Sequence, residues 1–161
     1  MQTIEGSRQA HGMRFAVVVS KYNDFVTDRL QAGALAALAA AGVAAGDITV
    51  VRVPGAFEIP LAAQHAAESA RFDAVVCLGC LIRGETPHFE YISSAVSLGL
   101  TTAAAATGVP MAFGVLTTNS VEEALARAGE GTGNKGHEAA IAAIEMAEVV
   151  AQLTRHATPG T

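Results

Sequence analysis

The sequence predicts a three-layer α/β/α fold built on an open parallel sheet of four strands. Three observations carry this. Four β-rich runs recur at 14–20, 47–53, 73–82 and 111–117, and helix-compatible stretches separate them. That alternation is the rhythm of βαβ units, whose crossovers are right-handed and cover both faces of the sheet. The first run, Arg14-Phe-Ala-Val-Val-Val-Ser20, is continuously apolar at its centre, as a strand buried on both faces requires. No long linker, repeat or low-complexity tract divides the 161 residues, so one domain spanning 1–161 is expected.

Residues 1–13 show no strong period and are expected to be an extended segment. Thr3-Ile4 could form a short strand added to a neighbouring subunit's sheet. After the first strand, Lys21-Tyr-Asn-Asp24 interrupts the apolar run, and a helix follows from Asp24 or Phe25 to Ala41 with Gly42 as its stop. The second strand, 47–53, ends at the Pro54-Gly55 turn, before a helix from about Glu58 to Ala70. The third strand, 73–82, feeds the segment 81–90, Leu-Ile-Arg-Gly-Glu-Thr-Pro-His-Phe-Glu. Gly84 allows a tight turn there, with Thr86 as N-cap and Pro87 as first helical residue of a helix running to about Gly108. Val109-Pro110 announces the fourth strand. Ser120-Val-Glu-Glu123 is a capping box opening a short helix to about Ala128. A glycine-rich break, 129–136, precedes the last helix, 136–155.

Composition narrows the function. With 51% hydrophobic and 16% charged residues the chain is not disordered, and a net charge of −5 argues against nucleic acid as a partner. The N-terminus has no apolar signal core, so a cytoplasmic location is expected. Cys77 and Cys80 form a C-x-x-C. Residues three apart on a strand face opposite sides at about 10 Å, beyond the roughly 7 Å a disulfide tolerates, so both read as buried core thiols. No His, Cys and carboxylate group has metal spacing, and no metal or cofactor is expected.

Two stretches exceed what a monomer needs. Residues 32–46 carry no polar side chain, and 91–121 carry no charge. A helix uncharged all round is expected to be covered all round. A membrane span over 91–110 is rejected because Ser93, Ser94, Ser97, Thr101, Thr102 and Thr107 are too many hydroxyls for lipid. A closed homo-oligomer is expected instead.

Ligands of open parallel sheets bind beyond the carboxyl ends of the strands. Those ends carry Tyr22 and Asn23, Phe57 and Glu58, Glu85-Thr86 and His88, and Thr117 to Asn119. A strand feeding a helix through a glycine turn leaves free N–H groups that suit an anion. A helix start also favours neutral imidazole, so His88 is placed to move protons. The sequence Gly131-Thr-Gly-Asn-Lys-Gly136 fits G-x-G-x-x-G, but it follows a helix rather than a strand and fails the dinucleotide context. Arg127 and Lys135 flank this break, either as anion partners or as solvated surface charges.

Taken together, Ser20-Lys-Tyr-Asn23, Val53-Pro-Gly-Ala-Phe-Glu-Ile-Pro60, the 81–91 segment, Phe113-Gly-Val-Leu-Thr117 and Gly133-Asn-Lys-Gly136 resemble lumazine synthases in order and spacing, from about Glu5 to Leu153. The resemblance implies a transferase of riboflavin biosynthesis. Its reaction condenses 5-amino-6-(D-ribitylamino)uracil with 3,4-dihydroxy-2-butanone 4-phosphate to 6,7-dimethyl-8-ribityllumazine, phosphate and water. By position, Tyr22 would stack on the pyrimidine, and Ala56, Phe57 and Glu58 would hold the ribityl chain. Backbone groups at Cys80, Leu81 and Ile82, with Phe113 of a neighbouring subunit, would read the heterocycle. Glu85, Thr86 and Arg127 would bind phosphate, Lys135 would reach into the site, and His88 would carry protons. Tyr22 stands where phenylalanine is expected, Phe57 where tryptophan is frequent, and Thr132 in a variable stretch. The family forms pentamers, some of which assemble into sixty-subunit icosahedral shells that can enclose a riboflavin synthase. The short glycine-rich link favours the shell over a free pentamer. The rival readings are a flavodoxin-like flavin-binding module and a shell protein without activity.

Overall fold

A computed structural model describes residues 1–156. The remaining residues of the expected 1–161 domain, 157–161, lie outside the described residues. Four strands form one all-parallel sheet: β1 Phe15–Ser20, β2 Ile48–Val53, β3 Ala74–Ile82 and β4 Met111–Thr118. Their order is β2-β1-β3-β4, the flavodoxin-like arrangement of a doubly wound sheet. Register runs from Phe15 opposite Ile48 on one side and Ala74 on the other, and from Val75 opposite Met111. Asp73 fixes the start of the β1–β3 ladder, because its carboxylate accepts from Arg14 N at 2.7 Å while its own N–H donates to Arg14 O at 2.8 Å.

Strand periodicity divides the core in two. Phe15, Val17, Val19, Val76 and Leu78 face α1 (Asp24–Ala40) and α5 (Lys135–His156), while Ala16, Val18, Val75 and Cys77 face α2 (Ile59–Glu68) and α3 (His88–Thr107). Cys80 belongs with the first set, so the two thiols lie on opposite faces of the sheet and both are free, as their spacing predicts. The layers are close. A methyl at Gly99 would meet Pro60 Cβ at 2.8 Å, and one at Gly136 would collide with the Leu30 carbonyl.

Several boundaries differ from expectation. The helix after β3 begins at His88, with Pro87 as its cap and no side-chain hydrogen bond from Thr86. Pro87 O accepts from Tyr91 N at 3.3 Å, so the proline stands just outside the helix, and the residue before a proline is held away from helical ψ. A 3₁₀ turn over Ala56–Glu58 precedes α2, which stops at Glu68. The short helix α4 (Val121–Ala126) ends before Ala128. Its cap is as read: Ser120 Oγ accepts from Glu123 N at 3.1 Å. The Glu123 carboxylate reaches back to Asn119 N at 2.8 Å, one residue earlier than a capping box requires. Thr3-Ile4 forms no strand within the chain. The segment that follows lies along α5, with Gln152 Nε2 donating to Glu5 O at 3.1 Å and Arg8 paired with Glu145 at 3.4 Å.

Candidate active site

Backbone pairing continues past the ends of β1 and β2 and brings their loops together. Lys21 N donates to Val53 O at 2.7 Å and Tyr22 N to Pro54 O at 3.1 Å. Asn23 then turns the chain with φ 60°, a left-handed conformation that asparagine tolerates, and its Nδ2 donates to Cys80 O at 2.9 Å. One side chain thus ties the loop after β1 to β3.

Beyond these ends lies a cleft of about 820 Å³. Tyr22, Ala56, Phe57, Glu58, Leu81, Ile82, Thr86 and His88 all line it. Tyr22 and Phe57 are 70% and 61% exposed, two large rings that stand at the cleft rather than pack into the core. Glu58 supplies a carboxylate acceptor on the 3₁₀ turn. On the loop that brings Gly84 and Thr86 to the far wall, no backbone hydrogen bond uses the N–H groups of Gly84, Glu85 or Thr86. These donors sit at the start of α3 beside His88, where an anion is favoured.

The other expected residues fall elsewhere. Cys80 is buried behind the cleft, and its carbonyl accepts from Asn23. Glu85 is exposed on the same loop but does not line the cavity. Phe113, Arg127 and Lys135 line a second cleft of about 380 Å³ along the β4 edge, with Glu138. There Arg127 Nη1 donates to Glu123 O at 3.0 Å, Lys135 N to Arg127 O at 2.9 Å, and Lys135 Nζ pairs with Glu138 at 2.8 Å. Within one chain, then, His88 and Arg127 serve different cavities.

Burial pushes the Cys77 thiol up to about 12 and that of Cys80 up to about 11, so neither supplies a thiolate nucleophile at neutral pH. Among the described residues, no group of three or more His, Cys, Asp or Glu side chains is placed to hold a metal ion, and no helix is long and apolar enough to cross a membrane.

Two residues carry more than their motifs suggested. Asn134 is buried; its Nδ2 donates to Arg29 O and Gly129 O, and its Oδ1 accepts from Gly136 N and His137 N. It caps α5 and fastens the glycine-rich loop to α1. An asparagine just ahead of a helical run is a strong capping signal that the glycines around it obscured. Arg83 stood in the 81–91 motif without a role. It bridges the start of α3 and the end of β4.

The sequence model of the 6,7-dimethyl-8-ribityllumazine synthase family matches residues 12–151. A 6,7-dimethyl-8-ribityllumazine synthase of Syntrophus aciditrophicus (strain SB) is 55% identical over 149 residues, covering 92% of this chain and 97% of its own. Another, from Desulfotalea psychrophila (strain LSv54 / DSM 12343), is 51% identical over 150 residues, covering 93% and 97%. With the parallel sheet, the aromatic cleft at its carboxyl edge and the His88 helix start, these matches establish that the chain belongs to the 6,7-dimethyl-8-ribityllumazine synthase family.

Proposed function

We propose that the protein condenses 5-amino-6-(D-ribitylamino)uracil with 3,4-dihydroxy-2-butanone 4-phosphate, releasing phosphate and water as 6,7-dimethyl-8-ribityllumazine forms. Membership of the family supports the reaction. The observation that carries the site is the single cleft in which Tyr22, Phe57, Glu58 and His88 meet. The pyrimidine lies against the Tyr22 ring, with Leu81 and Ile82 beside it. Ala56, Phe57 and Glu58 hold the ribityl chain, Glu58 accepting from its hydroxyls. The phosphate of the ketone takes the Glu85 and Thr86 N–H groups at the helix start.

Imine formation and phosphate elimination both require proton transfers beside that phosphate, and His88 is the side chain in reach to make them. Much of the rate comes from holding an amine and a ketone together, since the two condense without a metal. Arg127, Lys135 and Phe113 belong to the other cleft of the same chain. A neighbouring copy that set its β4 edge against this cleft would bring them to the phosphate and the heterocycle. A ring of five copies supplies such a neighbour for every cleft, and twelve rings close into a shell able to enclose a riboflavin synthase in the cytoplasm.

Mixing the protein with both substrates and following lumazine absorbance tests this. Wild type forms product, and His88→Ala loses on the order of 10- to 100-fold in rate, since approximation survives the loss of the proton carrier. Inorganic phosphate binding is kept. Unchanged turnover in His88→Ala removes the imidazole from the mechanism.

A further inference from the structure

We infer that Arg83 is a positioning residue for this reaction, clamping the His88 turn to the end of β4 rather than binding substrate itself. The inference rests on the reading of His88 as proton carrier. Arg83 is the first residue after β3, and its N–H donates to Thr118 O at 2.8 Å, adding one rung to the β3–β4 ladder. The guanidinium makes three more contacts. Nε donates to Asn119 Oδ1 at 3.0 Å, Nη1 pairs with the Glu90 carboxylate, and Cζ lies 4.5 Å from the centroid of the Phe89 ring.

Glu90 and Phe89 lie in the first turn of α3, directly after His88, whereas Asn119 lies in the turn from β4 to α4. One side chain therefore braces both ends of the loop that carries Gly84, Glu85 and Thr86. Phe89 also lines the large cleft, so stacking on its ring fixes part of the wall beside the imidazole. Charge and fork geometry are both used, and lysine can reproduce only the charge. Small displacements of a proton carrier cost rate steeply, which is how a residue outside the cleft governs turnover.

A cation this close to an anion site has one other obvious use, binding the phosphate directly. Glu90 separates the two roles by sign. As a clamp, Glu90→Gln weakens the brace and acts in the same direction as Arg83→Ala. As a phosphate ligand, Arg83 is freed by Glu90→Gln, and the ketone binds tighter.

Steady-state kinetics of the full chain with each substrate varied, for wild type, Arg83→Ala, Arg83→Lys and Glu90→Gln, decides. Arg83→Ala is expected to lower kcat about 10-fold and raise KM for the phosphorylated ketone, while KM for the pyrimidine stays within about twofold. Arg83→Lys falls between it and wild type, and Glu90→Gln shifts the same way. Hydrogen exchange at the Tyr91 amide, which donates to Pro87 O in the first turn of α3 and needs no turnover, quickens in Arg83→Ala while α1 and α5 keep their protection. Both side chains are about half exposed, so global unfolding is not the expected cause of any loss. Wild-type kinetics in Arg83→Ala, an equal rise in both KM values, or tighter ketone binding in Glu90→Gln overturns the inference. An inactive wild type overturns the proposed function instead, and the exchange comparison still decides whether the clamp exists.

Discussion

Asn134 offers four hydrogen-bonding positions and uses all of them, so replacing it exposes how much one buried amide contributes. Asn134→Ala strands two N–H groups at the start of α5 and two carbonyls. A loss of about 2 kcal/mol in urea unfolding is expected. Asn134→Asp keeps the cap but not the donors, and should lie between. The thiols give a second, pH-dependent test. Cys77 titrates near the ordinary 9 when unfolded and near 12 when folded, so the folded chain holds the extra proton between those values. Stability from this burial is complete below about pH 9 and falls as pH rises toward 12, by about 1.4 kcal/mol per pH unit. Cys77→Ala should reduce the difference in unfolding midpoint between pH 8 and pH 10.5, leaving the part due to Cys80. The opposite-facing thiols were legible from strand period alone, because a two-residue repeat leaves no freedom. The brace at Arg83 was not, because its partners Glu90 and Asn119 meet only once β3 and β4 pair.

Among elements, the strands were the most readable, since apolar β-branched runs flanked by Gly and Pro have few alternatives. Helix starts were less so. Thr86 and Pro87 carry the residue types of a cap and a first turn, yet the helix begins one residue later, at His88. The N-terminal segment was the least readable, having no period. It is held to α5 by Ser7 N donating to Glu148, by Arg8 on Glu145 and by Glu5 O accepting from Gln152. The Ser7 hydrogen bonds hold the Glu148 carboxyl below its usual 4.5. Docking through this carboxylate is therefore complete above about pH 4.5 and lost as pH falls through the lowered value. A lower protection factor at the Ser7 amide in acid, ahead of the β1 amides, is the expected result. Equal protection at pH 7 and at a pH low enough to protonate Glu148 would count against it.

For the whole molecule, the uncharged stretches matter most. On α3, Tyr91 and Leu98 remain 73% and 69% exposed, and on α1 Ala32, Ala36, Ala39 and Ala40 are uncovered. A single chain thus leaves bare the faces that composition marks for burial. We expect light scattering to give a particle of five or sixty chains, and Leu98→Glu to shift it toward smaller species. A monodisperse monomer refutes the assembly. The motifs name candidate residues but not their grouping. Nothing in the spacing of His88 and Arg127 tells that one lies at the β3 end and the other beside the β4 edge.

That grouping has a genetic consequence. Two chains crippled in different halves, one His88→Ala and the other Arg127→Ala, each keep only a small residual rate alone if a junction needs both groups. Co-expressed at equal levels and mixed at random, roughly a quarter of their junctions join an intact imidazole to an intact guanidinium. Recovery of about that fraction of activity, well above either crippled parent, would mean that catalysis here belongs to the seam between protomers and to no protomer by itself.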